Sequence, residues 1–285
     1  MRWTTARFEI DLTRPRVMGI VNLTPDSFSD GGRWLEARQA LRHAEQLLRE
    51  GADILDLGAE SSRPGAPGVP EAAEWGRLQP VLEELSHWGV PLSVDTCKPG
   101  VMARALALGV DVINDIQALQ APGALAAVAA HPRAGVCLMH MRGAAATMQN
   151  LVHYDDVLAE VRAFLAQRVE ELTGAGVGRQ RICVDPGFGF AKTPRQNLEL
   201  GQRLNELHGL GLPLLVGWSR KSTLGWLTGR PVDQRLPASL AAGLAALQRG
   251  AHILRVHDVA ASVEALNTWM ALQPTAGQCA ASQKT

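Results

Sequence analysis

The chain has 285 residues, 46% hydrophobic and 20% charged, with a formal net charge of +0. That composition fits one barrel-sized domain or two average ones, and the balanced charge offers no bulk attraction to nucleic acid or an anionic membrane. Its longest apolar stretches are strand-length, well short of the ~20 residues a membrane helix needs.

Residues 1–15 read as a lead-in; residues 1–11 lack the apolar core of a signal peptide. Residues 16–21 form an apolar, β-branched strand ending at Asn22, followed by a long loop rich in Pro, Asp, Ser and Gly over 23–32. Apolar residues at helical spacing over 35–50 predict a helix that stops at Gly51. The second strand, 53–57, carries one acid, Asp56, and reads as barrel scaffold. It breaks at Gly58 into a polar loop holding Glu60, Ser61, Ser62, Arg63, Pro64 and Gly65. Helix 69–88, strand 91–94 ending at Asp95 and helix 99–108 follow. Strand 111–113 then ends at Asn114 and Asp115, helix 121–130 comes next, and strand 135–139 ends at His140. The long helix 154–173 precedes strand 181–184, which ends at Asp185, and helix 195–207 follows it. Strand 213–216 leads into Gly217–Trp218–Ser219–Arg220–Lys221, with Ser222 opening the next helix. Helix 239–248, strand 252–256 followed by His257 and Asp258, and helix 263–272 complete the run. Residues 274–285 are small and polar and read as a disordered tail.

Eight strand-then-helix units argue a parallel sheet covered by helices, and at this length a single-domain (β/α)8 TIM barrel, α/β in class, over 16–273. A dinucleotide-binding open sheet is disfavoured, because no G-x-G-x-x-G follows the first strand. The four cysteines, Cys97, Cys137, Cys183 and Cys279, form no close pair and no zinc spacing. That fits a reducing, cytoplasmic setting.

Barrel chemistry sits at the C-terminal ends of the strands. Here nearly every strand ends in a side chain that donates, accepts or carries charge: Asn22, Asp56, Asp95, Asn114, His140, Asp185, Ser219–Lys221, Arg255 and His257. One Asp at such a place is an ordinary turn former. A ring of them implies a ligand, since a polar rim without one is left solvated or badly paired. Asp95, Asn114, Asp185 and Lys221 suit a flat heterocycle with amino and lactam edges. Asn22, Ser62, Arg63, Arg255 and His257 lie on the first, second and eighth strands, adjacent in a closed barrel, and read as an anion subsite. The Asn22 carbonyl oxygen is also a hard ligand for Mg²⁺. Lys221 has two readings, a hydrogen bond to a ring carbonyl or a Schiff-base lysine. The loops over 23–33 and 59–70 read as lids, and Phe188 and Phe190 as an aromatic wall.

The motifs VMGIVNLTPDSFSDGG from Val17, ILDLGAESSRPGA from Ile54, SVDT from Ser93, INDI from Ile113, LMHMRG from Leu138, VDPGFGFAK from Val184, GWSRKS from Gly217 and ILRVHDV from Ile253 together resemble the dihydropteroate synthase family. That family is the sulfonamide target of folate biosynthesis. The resemblance runs from about Arg16 to Gln273. It implies a transferase that joins 7,8-dihydropterin-6-ylmethyl diphosphate to 4-aminobenzoate by a dissociative, SN1-like route with release of diphosphate. Asp95, Asn114, Asp185, Lys221 and Arg255 would border the pterin. Asn22, Ser62, Arg63, Arg255 and His257 would hold the diphosphate, with Asn22 on Mg²⁺. Ser62, Arg63, Pro64, Phe190, Lys221 and Ser222 would border the aminobenzoate. Asp95, Arg63 and Lys221 would carry the catalysis, and the partners would be these small molecules and a second copy of the chain in a homodimer built on late helices. Three positions depart from the family pattern. Ser62 stands where Thr is frequent, Trp218 where a smaller apolar residue is usual, and Arg142 where a neutral polar residue is common. Two other activities remain compatible with the fold at this point, a corrinoid-linked methyl transfer from a reduced pterin and a Schiff-base aldol cleavage at Lys221. A pterin-binding paralogue without turnover is a third reading, disfavoured by the intact Asn22, Arg63, Asp95, Lys221 and His257.

Overall fold

The computed structural model describes residues 1–24, 32–61, 65, 66, 68–144 and 147–273, with backbone alone at 32–35. Strands β1 (Arg2–Thr4) and β2 (Glu9–Asp11) form an antiparallel hairpin. Next come β3 (Arg16–Asn22), α1 (Gly32–Arg49), β4 (Ile54–Gly58), α2 (Glu71–Leu85), β5 (Leu92–Asp95), α3 (Pro99–Ala107), β6 (Val112–Asp115) and α4 (Ala124–Ala129). They are followed by β7 (Gly135–Met139), α5 (Val157–Gly174), β8 (Ile182–Asp185), α6 (Pro194–Gln202), β9 (Leu215–Val216), α7 (Ser222–Thr228), α8 (Leu236–Gln248), β10 (Ile253–Val256) and α9 (Val259–Ala271).

Strands β3 to β10 run parallel in the spatial order β8-β7-β6-β5-β4-β3-β10-β9. A parallel bridge between Val184 and Leu214 joins the two edges, and the Val184 N–H donates to the Pro213 carbonyl at 2.9 Å. The sheet is thereby closed, and the expected (β/α)8 barrel is the observed fold. Closure follows from the sequence pattern: strands buried on both faces need helices outside and packed side chains inside. The apolar outer faces meet the helices in one continuous core that includes Val21, Leu57, Leu78, Val94, Leu165 and Leu254. Among the described residues no helix is long and apolar enough to cross a membrane.

Two local features have plain causes. The helix expected over 195–207 stops at Gln202, and Leu204–Leu210 continues as a 3-10 helix that ends at Gly211 with φ of 66°. The stretch after Lys221 is a separate short helix, α7, ended by Gly229 in the left-handed region at φ 68°; the covering helix α8 starts afresh at Leu236. A left-handed glycine followed by Pro231 cannot carry one helix into the next.

The lead-in residues form the barrel floor. Trp3 is fully buried and its indole N–H donates to the Arg181 carbonyl at 2.9 Å. It packs with Ile10, Met18, Ile54, Val112 and Ile253, the lowest inward layer of the barrel. Gly135 opens β7 directly beneath the hairpin, where an added Cβ would lie 3.2 Å from the Thr4 carbonyl oxygen. Because Trp3 is large, fully buried and hydrogen-bonded, Trp3→Ala should lower the unfolding free energy by about 3–5 kcal/mol. The measurement is the urea midpoint; an unchanged midpoint would mean that the hairpin is no part of the cooperative unit.

Candidate active site at the barrel mouth

Strand residues two apart share a face, so the floor layer identifies which strand ends look inward. Met18, Ile54, Val112, Cys137, Cys183 and Ile253 all contact the floor. Two or four residues further along the same strands stand Asn22, Asp56, Asn114, Met139, Asp185 and Arg255. Asp95 joins them as the register neighbour of Asn114.

At the centre of this layer, Arg255 is shared by two carboxylates. Its Nε donates to Asp56 Oδ2 at 2.6 Å and its Nη2 to Asp95 Oδ2 at 2.8 Å. The Asn114 amide N–H2 also donates to Asp56 Oδ2, at 3.2 Å. Asp56 is fully buried; among the described residues its Oδ1 and the Oγ of its register neighbour Ser93 have no hydrogen-bond partner. Burial pushes Asp95 up from 3.8 to about 7, Arg255 pulls it back, and the charges of Asp56 and Asp115 add to the rise. Burial works against the Arg255 cation, yet Asp56 and Asp95 hold its pKa above the usual value. Asp56, expected as scaffold rather than catalyst, holds both Arg255 and Asn114. Counting by two from Ile54 is the sequence signal that places it inward.

Lys221 enters from the β9 side, with its ammonium 4.0 Å from the Phe190 ring centroid. Burial, then the charge of Arg255, lowers its pKa to about 8, while Asp185 and Asp95 oppose the fall. Asp185 is itself raised by burial, against a 2.7 Å hydrogen bond from the Gly187 N–H and the charge of Lys221. The preceding residue, Arg220, sits at φ 59° and is held by Asp258 through its Nε at 3.0 Å and by Ser239 Oγ, which accepts from its backbone N–H at 3.0 Å. A non-glycine residue pays steric strain there, and these contacts hold the turn that aims Lys221.

The loop after β8 is braced from behind by Lys192, which is buried and donates to the Gly187 carbonyl at 3.0 Å and the Phe190 carbonyl at 3.0 Å. Its ammonium also lies 2.9 Å from His140 Nδ1. Burial lowers Lys192 to about 7, with Asp185 opposing. His140, counted among the mouth groups by its place at a strand end, is one residue out of phase with inward Met139. It faces α5, edge-on to Phe164 at 5.0 Å, and burial followed by the charge of Lys192 holds its pKa down to about 2. Gly187 cannot carry a side chain, since a Cβ would meet the His140 carbonyl oxygen at 2.0 Å. Phe188, expected as a second aromatic wall, instead stacks on Trp218 at 4.1 Å, and both rings are buried. Trp218 therefore fills the space behind the mouth. The apolar wall beside the acids is made of Ile116, Met139, Met141 and Phe190, with Cys97 against it. Arg142 lies over the Tyr154 ring at 3.8 Å and pairs with Glu160, so it fastens its loop to α5.

Across the mouth, His257 follows β10, and its Nδ1 is 3.0 Å from Ser219 Oγ. Burial, then Arg255, lowers its pKa to about 3. Asn22 ends β3 half-buried, and Ser222 opens α7. Ser62, Arg63 and Pro64, and most of the loop over 23–33, lie outside the described residues. The flanks of that second loop are fastened: Glu60 accepts from the Val69 N–H at 3.3 Å and meets Lys98, which also holds buried Glu74. Among the described residues no three His, Cys, Asp or Glu side chains converge on a metal-sized space.

A closed parallel barrel whose mouth sets two acids, an amide and a lysine beside an apolar wall is the architecture of a pterin-binding barrel, and residues 18–257 match the family described as pterin binding enzyme. A dihydropteroate synthase of Neisseria meningitidis serogroup B is 52% identical over 276 residues, covering 95% of this chain and 97% of its own length. The Xanthomonas albilineans dihydropteroate synthase solved with 4-aminobenzoic acid superposes with a TM-score of 0.90 at 51% identity, covering 96% of this chain and 98% of that one. The Burkholderia cenocepacia dihydropteroate synthase complexed with 7,8-dihydropteroate gives 0.86 at 47% identity, covering 95% of each chain. The chain belongs to the pterin-binding enzyme family and, within it, to the dihydropteroate synthases.

Asp56→Asn should weaken the Arg255 pairing and cost about 3 kcal/mol of stability, because the half-buried Arg255 cation loses its fully buried charge partner; chemical denaturation measures it. The pKa shifts give a second expectation. Ligand binding that uses ionised Asp95 strengthens as pH rises through about 7, and binding that uses protonated Lys221 weakens above about 8. Affinity for a pterin analogue should therefore peak between those values, and a flat fluorescence titration profile from about pH 6 to 9 would remove both groups from the site.

Proposed function

We infer that the mouth condenses 7,8-dihydropterin-6-ylmethyl diphosphate with 4-aminobenzoate by a dissociative route. The observation that carries this reading is the inward layer itself. Asp95, Asn114, Asp185 and Lys221 present acceptors, donors and a cation beside the apolar wall of Met139, Met141 and Phe190. A pterin ring needs just such a combination of polar edge and apolar face. Arg255 borders the same pocket through its pairing with Asp95.

The C–O bond to the diphosphate lengthens as negative charge grows on the leaving oxygens. Arg63, Arg255, His257 and Ser62 on the anion side then gain more attraction than they had in the ground state. Mg²⁺ held with the diphosphate by Asn22 would supply further neutralisation of that charge. The pterin-methyl cation that remains is resonance-stabilised, and the Asp95 carboxylate beside the ring favours it electrostatically. The arylamine is a modest nucleophile that needs placement rather than a strong base. Ser62, Arg63, Pro64, Phe190, Lys221 and Ser222 are the groups we assign to its placement, with the Ser222 hydroxyl near its carboxylate. Lys221 serves as a hydrogen-bond donor to the pterin carbonyl, and its proximity to Asp185 and Phe190 supports that use over imine chemistry.

We also propose a homodimer in the cytoplasm. Trp226 at 55% and Leu227 at 57% exposure on α7, with Val232 at 52% just after it, leave an apolar surface that a second copy would cover.

The test is a coupled assay for diphosphate release. Release should require the pterin diphosphate, 4-aminobenzoate and Mg²⁺ together. Arg63→Ala should lower turnover about 100-fold while leaving pterin-analogue affinity nearly unchanged. Unaltered turnover in that variant would overturn the diphosphate assignment.

A further inference from the structure

Ser219 meets His257 twice. Its Oγ accepts from the His257 backbone N–H at 3.2 Å and lies 3.0 Å from the His257 ring Nδ1. A serine hydroxyl has one proton and two lone pairs. The backbone contact uses a lone pair, because an amide can only donate. The hydroxyl proton then has Nδ1 as its acceptor, for Ser219 Oγ makes no other hydrogen bond among the described residues. Nδ1 is left without a proton and the neutral ring must carry its proton on Nε2. No hydrogen bond within the described residues uses Nε2.

The surroundings keep the ring in that neutral state. Arg255, Arg220 and Lys221 all oppose a further positive charge on it, and Asp258, which favours one, is engaged by Arg220 through both carboxylate oxygens. Ser219 itself is 8% exposed and follows buried Trp218, so its side chain has little freedom.

We propose that Ser219 is a positioning residue that fixes His257 in its Nε2–H tautomer, so that the imidazole presents a hydrogen-bond donor to a phosphate oxygen. The proposal rests on the reading of His257 as a diphosphate contact. It adds a requirement that the reading alone does not make: with the opposite tautomer, Nε2 would turn a lone pair towards the anion and repel it. The neighbouring guanidinium and ammonium groups hold His257 neutral, so the tautomer, rather than charge, decides whether it attracts. Because the same hydroxyl also binds the backbone of residue 257, it locks the ring to the chain that carries it.

Nitrogen NMR of the full-length enzyme labelled with ¹⁵N-histidine tests this, with His257→Gln used only to identify the resonance. At neutral pH, Nε2 should show the protonated, pyrrole-like shift and Nδ1 the unprotonated, pyridine-like shift. Ser219→Ala should mix the tautomers. It should also raise the KM for the pterin diphosphate and the Kd for inorganic pyrophosphate with Mg²⁺ by about 10-fold, the scale of one charge-assisted hydrogen bond. Ser219→Thr keeps the hydroxyl and should restore both the shifts and the affinity. A protonated Nδ1 in the unsubstituted enzyme overturns the proposal. So do shifts and pyrophosphate affinity that stay unchanged in a folded Ser219→Ala variant. If the tautomers mix while pyrophosphate affinity holds, Ser219 is confirmed as the tautomer anchor and the diphosphate role of His257 falls instead.

Discussion

The mouth depends on one guanidinium placed between a fully buried carboxylate and a half-buried one. Arg255 reaches across the barrel interior from β10 to Asp56 on β4 and Asp95 on β5. Removing three charges from water costs several kcal/mol each, and only close geometry offsets it. Here the offset is incomplete. Two negative groups compete for one cation, Asp56 Oδ1 has no partner among the described residues, and burial raises the Asp95 pKa above its usual value. The same pairing fixes the Asn114 amide, whose N–H2 is committed to Asp56 and whose oxygen is left for other partners.

A second brace stands outside the barrel wall. Lys192 spends its N–H groups on two loop carbonyls and an imidazole rather than on a carboxylate. That arrangement holds Gly187 and Phe190 in place, and Phe190 in turn packs under the Lys221 ammonium. Arg220 and Asp258 do the equivalent job between the loops after β9 and β10. Each reacting side of the mouth is thus shaped by charged groups that never face it. This is the expected way to hold a site rigid: ligand-facing groups on strand ends, with supporting hydrogen bonds behind them.

The ends of the barrel are built differently because they do different work. The floor is closed by Trp3 and the first hairpin with apolar packing and one indole hydrogen bond. The top carries long loops, of which the second is fastened at its flanks by Glu60, Lys98 and Arg77. Stability is concentrated below and chemistry above, as parallel barrels generally divide them.

Alternating apolar strands and amphipathic helices settled the barrel in advance, because periodicity is a local property and eight such units have few ways to pack. Strand-end polarity likewise marks Asn22, Asp95, Asn114, Asp185, Lys221, Arg255 and His257 as a group in the sequence itself. What the linear order could not decide was facing and pairing. His140 and Asp185 look equivalent as strand ends, yet one residue of phase turns His140 outward to Lys192. Phe188 and Phe190 are two apart in a loop, where no strand period applies, and one stacks on Trp218 while the other meets Lys221. Asp56 resembled scaffold because its partners, Asn114 and Arg255, lie 58 and 199 residues away. Side-chain type and local period are written in the sequence; which charges share a cation, and which hydroxyl fixes an imidazole, are decided only when closure of the sheet brings distant strands within hydrogen-bond reach.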